Sequence, residues 1–325
     1  MAHIRLLLIL AIALITTAQC QWGFAATPES QPETATPVLI PTLAPGDGSD
    51  LLDQLLEEGR LRVGVRVWPE AEFSPPVFRD VTTTDTGGAL TGFEVEVVRL
   101  VAVGLGLELE LIEADPQILV TGSWTNEWDI AIASLTPVDQ PLPNTPAQNM
   151  VYSIPYAFVP MGFLIPADEE AINEFGDLAE HKVGVLEHSI HQRLLTPGGS
   201  ALTVQQQQFM LKPPDDIQLV ILSNLQKSIR ELGQSDSEAN PQLDAIFGPT
   251  PMFEQALDRD LPIKLAPQAE RVGLQPVAIA AVPRDGLKVD RLMQAINQIL
   301  NRLREQGVLA EISQRWYNQD LSRVR

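Results

Sequence analysis

The chain has 325 residues, 45% of them hydrophobic and 20% charged, with a formal net charge of −20 at pH 7. That apolar share can build real cores and excludes a disordered chain, while the length exceeds one ordinary core and suits two domains of roughly 100 to 150 residues. The acidic field repels phosphate backbones and anionic membrane surfaces, and no basic patch offsets it, which argues against nucleic-acid binding.

The first predicted element is an export signal. His3 and Arg5 precede the apolar run Leu6 to Ile15, which matches a signal core and falls short of the roughly 20 residues a membrane span needs. Two processing readings stay open. The run TTAQC ends at Cys20, the only cysteine, placed as in a lipoprotein signal whose thiol carries lipid, although Gln19 is larger than the residue such a site favours. The other reading puts ordinary cleavage near GFAA, with Gly23 and Ala25 in the small-residue positions and residues 1–26 removed. In either case no disulfide forms within the fold. Residues 27–50, rich in Pro, Thr and Gly and without periodicity, read as an extended linker.

Order is predicted to begin at LLDQLLEEGRLRVGVRV. Leu51, Leu52, Leu55 and Leu56 share a helical face that Gly59 terminates, and Leu61, Val63, Val65 and Val67 alternate as a first strand. A helix over 92–105 follows, then strands over 108–114, 128–135 and 161–167. A second set starts with the strand 181–187 and a helix near 189–195, followed by strands LTVQQQQF, IQLVIL and LDAIFG, with a helix over 225–232 between the last two. A strand over 276–283 and a helical region over 289–316 close the chain. Strands alternating with helices imply mostly parallel sheets covered on both faces, and two such sets imply two α/β lobes.

The stretch GFEVEVVRLVAVGL, Gly92 to Leu105, carries two glutamates in an otherwise apolar run. Phe93, Val97, Leu100, Val101 and Gly104 keep helical spacing and are expected to face the sheet. Glu94 and Glu96 lie in the first turn, where carboxylates favour the positive end of the helix dipole by about 0.3 to 1 kcal/mol each.

The same order of residues resembles the signature of the family 3 extracellular solute-binding proteins, the polar amino-acid receptors of ABC importers. The resemblance extends through RLRVGV (60–65), WDIAIASLT (128–136), YSIPYAF (152–158), HKVGVLEHS (181–189), LDAIFG (243–248) and INQILNRLREQGVLAEISQRWY (296–317). It implies a type II periplasmic-binding fold: two α/β lobes, each a mixed, mostly parallel sheet flanked by helices, joined by two hinge strands and closing over a solute. Lobe 1 would hold residues 51–157 and 277–325, lobe 2 residues 158–276, with hinges near 158–163 and 276–281. The implied protein is not an enzyme, needs no cofactor or metal, acts as a monomer outside the cytoplasmic membrane, free or tethered through Cys20, and delivers its solute to an ABC permease.

The resemblance also implies ligand positions, at three of which this chain departs from the pattern. Asp139 falls where an arginine is expected to hold a ligand carboxylate. Pro249, followed by Thr250, falls where an acid is expected to hold an ammonium. Arg66 replaces the acid often found after the first strand. A guanidinium fork attracts a carboxylate and an aspartate repels one, so the zwitterion clamp is altered and the expected solute is a small polar organic molecule. Trp68 and Phe73 match an aromatic wall, against the alternative of lobe packing. Ser134 and Thr136 match ligand-touching positions. Ser189 matches a helix start that takes an anionic oxygen, against the alternative of a plain N-cap. Asp139 either binds a cationic substituent or pairs with Arg66.

Competing chemistries rest on thinner signals. His188 and His191 at i and i+3 could share a helical face, with His181 and Glu187 nearby, but four histidines in the chain and a single cysteine make a metal centre unexpected. Glu70, Glu72, Asp139 or Glu187 could act as a general acid or base in a dehydratase-like relative of this fold. A sensing role on a membrane partner is a further alternative.

Overall fold

The computed structural model describes residues 46–82, 88–124, 126–138, 150–196, 201–204, 207–210, 214, 216–232, 243–268 and 272–324. The export signal with Cys20, the linker up to residue 45, and Asp139 lie outside the described residues.

Asp50 caps the first helix, its carboxylate accepting from Leu52 N, and α1 (Leu51–Glu58) stops at Gly59 with φ 73°, a left-handed value that favours glycine. Strand β1 (Arg60–Val65) follows, ending two residues before the alternation predicts. Beyond it the chain turns aside, Trp68 donating its amide to Val77 O at 2.9 Å. The short strands β2 (Phe78–Asp80) and β3 (Ala89–Thr91) pair with each other, and α2 (Phe93–Leu105) begins at Gly92 with φ 128°. A Cβ at Gly92 would run into the carbonyl of Pro76, so only glycine lets α2 start here.

The remainder of the first set is β4 (Glu108–Glu113), α3 (Pro116–Thr121), β5 (Ile130–Leu135) and β6 (Val151–Tyr152). Strand β7 (Ala157–Pro166) joins what the sequence suggests as separate pieces. Then come β8 (Lys182–Leu186), α4 (Ile190–Leu195), β9 (Ala201–Val204), β10 (Gln207–Met210), β11 (Gln218–Leu222), α5 (Leu225–Leu232) and β12 (Ala245–Pro249). The expected single strand LTVQQQQF is in fact the antiparallel pair β9 and β10. Helix α6 (Thr250–Leu257), β13 (Ile263–Leu265) and β14 (Gly273–Ala281) precede α7 (Asp290–Glu305) and α8 (Val308–Tyr317). The expected closing helix is thus two, broken at Gly307 with φ 80°.

The main sheet runs β11-β8-β12-β7-β14-β5-β1-β4. It is parallel at both ends, β1 with β4 and β5, and β8 with β11 and β12; the central strands β12, β7, β14 and β5 pair antiparallel. Alternation along each strand serves two cores. Ile130, Ile132, Val277, Ile279 and Ala281 enter a cluster with α1, α2, α7 and α8, while Ala131, Ala280 and Val282 face Trp124 and Trp128 on the other side. In the other half, Met161, Phe163, Val183, Val185 and Phe247 form one cluster, and Leu164, Leu186 and Ile246 join α5 and α6 in another. This period of two with both faces covered is what a buried sheet requires. The result is a two-lobed α/β fold in which β7 and β14 belong to the crossing. Gly104 packs α2 against α7 rather than the sheet, since a Cβ there would meet Ile299.

Candidate functional site

The carboxyl ends of the parallel strands gather the expected ligand positions, the usual place for a site in an open α/β sheet. Arg66 follows β1, Thr136 follows β5, Glu187 and Ser189 follow β8, and Thr250 follows β12. The ends of β1 and β8, from opposite halves of the sheet, meet directly: Arg66 Nη1 donates to Glu187 O at 3.3 Å. Arg66 also stacks on Trp68, with its guanidinium carbon 5.3 Å from the ring centroid. Burial pulls its pKa down to about 10, while Glu187, Glu94 and Asp115 support its charge from a distance. The group remains a cation at neutral pH.

Glu94 stands in the first turn of α2, as expected, but turned inward. It is 2% exposed, and its Oε1 accepts from Ser134 N at 2.6 Å, Ser134 Oγ at 2.7 Å and Tyr156 Oη at 2.6 Å. Burial drives this carboxyl above the usual carboxylate range, and the bonds from Tyr156 and Ser134 oppose the rise. Three converging donors are what make such a burial tolerable. Glu96, in contrast, accepts from Arg315 and Trp316 of α8 at 2.6 and 2.8 Å.

Ser134 has φ 51°, opposite a register shift of β14 between Ala278 and Ala280. Its amide and hydroxyl are both turned to Glu94, and its carbonyl accepts from Gln275 Nε2 at 3.0 Å; the same amide group donates to Thr136 Oγ1 at 2.9 Å. Gln275 therefore ties the two expected ligand-touching residues to the crossing strand β14.

The other expected residues are placed differently. Ser189 caps α4, accepting from Gln192 N at 3.2 Å and donating to Leu186 O at 2.6 Å. Thr250 is buried and donates to Pro160 O on β7 at 3.4 Å. Phe73, with φ 56° and 4% exposure, inserts from the loop after β1 into the cluster of α5, β12 and α6, where Trp68 also packs. Around that insertion Arg230 of α5 binds Glu70 at 2.5 Å and also Glu72, Asn224 donates to Glu70 at 3.3 Å, and Gln226 donates to Glu72 O. The Arg230 bond holds Glu70 below the usual carboxylate range.

His191 does not share a face with His188, whose φ of 56° puts it ahead of α4. It is buried edge-on to Phe247, with centroids 5.1 Å apart, and its Nε2 has no partner among the described residues. Among the described residues no group of three or more His, Cys, Asp or Glu is arranged to hold a metal, and no helix is long and apolar enough to cross a membrane. Sequence reasoning missed Gln275, Tyr156 and Arg230. Only Tyr156 carried a signal, as one of three aromatics in the quoted block YSIPYAF.

With this geometry in view, residues 66–319 match the model of the bacterial extracellular solute-binding proteins, family 3. A probable amino-acid ABC transporter-binding protein of Haemophilus influenzae is 24% identical over 275 residues, covering 84% of this chain and 90% of that protein. The crystal structure of an amino acid ABC transporter substrate-binding protein of Streptococcus pneumoniae bound to L-arginine superposes with TM-score 0.58 at 19% identity, over 83% of this chain and 100% of that one. An ancestral amino acid-binding protein, described as a precursor of cyclohexadienyl dehydratase, gives TM-score 0.59 at 18% identity over 82% and 99%. Both structures share the overall fold, and on the family match the chain belongs to the bacterial extracellular solute-binding proteins of family 3.

Proposed function

We propose that this protein captures a small polar, amino-acid-like solute between lobe 1 (residues 51–157 and 277–325) and lobe 2 (158–276) and hands it to an ABC permease. The observation that carries the reading is the meeting of Arg66 and Glu187 O at the carboxyl ends of two strands from opposite halves. A solute touching both ends favours the closed arrangement by its differential affinity, and that arrangement is what a permease can recognise. Arg66, Trp68, Thr136 and the β8–α4 turn at Ser189 are the proposed contacts; Ser134, Phe73 and Thr250 shape the site through Glu94, α5 and β7. Asp139 is a proposed contact of the segment after β5.

Non-catalytic action fits the engagement of the acids. Two of the four candidate acids, Glu70 and Glu72, are held by Arg230, leaving them poorly suited to proton transfer. Function as a monomer on the outer side of the cytoplasmic membrane, either free or tethered through a lipid on Cys20, completes the reading.

Native mass spectrometry of the protein as purified, combined with small-angle scattering before and after addition of a metabolite pool, tests it. A retained small molecule and a smaller radius of gyration with solute are expected. A particle unchanged by every pool would refute solute capture.

A further inference from the structure

Among the described residues, the arginines Arg62, Arg79, Arg230, Arg284, Arg291 and Arg315 each rest on a carboxylate. Arg66 does not. Within the described residues it makes one hydrogen bond, to the main-chain oxygen of Glu187 at 3.3 Å, and no ion pair. A guanidinium carries five N–H donors in a plane. The Trp68 ring lies beside the guanidinium carbon, 5.3 Å away, and the donors not used by Glu187 O are the route to a partner.

The neighbouring acids support the charge without pairing with it. Glu187 acts on it most strongly of the three, yet makes no ion pair with it among the described residues. Glu94 has the same oxygen engaged by Ser134 and Tyr156, and Asp115 caps α3 through Gln117 N at 2.8 Å. A withdrawn cation without a matching anion weakens a fold unless something later compensates it. In a chain of net charge −20, carboxylates were available in number to do so, yet this position faces the other half of the sheet.

We infer that Arg66 is the anchor for a carboxylate of the solute, taking both carboxylate oxygens along the edge of the guanidinium while Trp68 holds the plane. The inference rests on the solute-binding reading and gives it a ligand class: organic carboxylates, with the anion at the end of β1. The contact with Glu187 O brings the same carboxylate beside the β8–α4 turn, so one group of the solute reaches both halves. A fork on an aromatic face suits the planar, two-oxygen geometry of a carboxylate.

The test is calorimetry and thermal melting of the secreted chain with L-arginine, L-glutamine and glutarate, each set against its carboxamide: L-argininamide, L-glutaminamide and glutaramide. At least one acid is expected to bind and its carboxamide to fail. Arg66→Gln should weaken that acid by about 10- to 100-fold, the range for charge-assisted bonds, and Arg66→Lys, which keeps charge but loses the fork, should fall between. The melting temperature of Arg66→Gln without ligand should equal or exceed that of the parent, because an uncompensated cation is gone; a structural arginine would give a lower one and overturn the inference. So would a carboxamide binding as well as its acid, failure of all three acids, or inorganic phosphate binding in preference to them. If the parent and Arg66→Gln compact equally with a metabolite pool, the anchor is refuted and solute capture stands. If neither compacts with any pool, solute capture fails as well.

Discussion

Tyr156 donates its phenolic hydrogen to Glu94 at 2.6 Å, and both groups are withdrawn from water. Burial, and then the Glu94 charge, raise the Tyr156 hydroxyl well above its ordinary range, so it stays a donor at every accessible pH. The pair fixes the start of α2 against the end of β5, where Ser134 also donates to Glu94.

Removing the acceptor should therefore be severe. Glu94→Ala strands the Ser134 amide, the Ser134 hydroxyl and the Tyr156 hydroxyl, and a loss of about 3 to 5 kcal/mol is expected from buried donors left without an acceptor. Glu94→Gln keeps one oxygen acceptor and should lose less than half as much. Urea unfolding of the two variants checks this; equal losses would show that the carboxylate charge, not the acceptor oxygen, is what matters.

The bridge between the loop after β1 and α5 should tune lobe closure. Arg230→Gln removes the charged bonds to Glu70 and Glu72, each half-exposed and worth about 0 to 1 kcal/mol. The expected effect is a larger radius of gyration without added solute and near-parental compactness at saturating solute. Raising salt from 0.05 to roughly 0.5 M should reproduce part of the change in the parent and none in the variant.

His191 gives the protein an acid-sensitive core. Burial lowers its pKa from 6.5 to about 3, so between these values the unfolded chain holds a proton that the folded chain does not. Stability from this group is complete above pH 6.5 and falls as pH drops, by about 1.4 kcal/mol per unit. From pH 7 to 5 the parent should lose about 2 kcal/mol more than His191→Leu. Parallel stability curves for the two proteins across that interval would contradict the buried neutral imidazole.

Gly64 is needed for space rather than for backbone freedom. A Cβ there would lie 2.5 Å from the Trp128 ring, which stacks on Trp124 with centroids 5.7 Å apart. Gly64→Ala should destabilise by about 1 to 3 kcal/mol through overpacking and shift tryptophan emission. Unchanged emission would mean that the ring has room to move aside.

The legible part of this molecule was local. Alternation in RLRVGV, WDIAIASL and HKVGVLE marks strands because each serves a core with every second residue, and the spacing from Phe93 to Leu105 marks α2 for the matching reason. What the sequence could not display is set by distance along the chain. Glu94 and Glu96 look alike in the first turn of a helix, yet one meets Ser134, 40 residues on, and the other Arg315, 219 residues on. Arg66 contacts a main-chain oxygen 121 residues away, and a carbonyl has no side-chain identity to betray it. Phe73 reads equally well as a cleft wall or a packing residue, and only the cluster around α5 shows it packed there. The split of the closing helix was within reach, since Gly307 stands in QGV between the two apolar stripes.

The first core takes its residues from 51–157 and again from 277–321, whereas the Phe163–Phe247 core draws only on residues 161–266 and Val272. The half that begins the polypeptide consequently cannot finish until the end of the chain arrives. Until that end arrives, the first half is an incomplete body with β14, α7 and α8 missing. Chains stopped before Gly273 should leave the stretch around β1 open to protease while the β8–β12 region resists it.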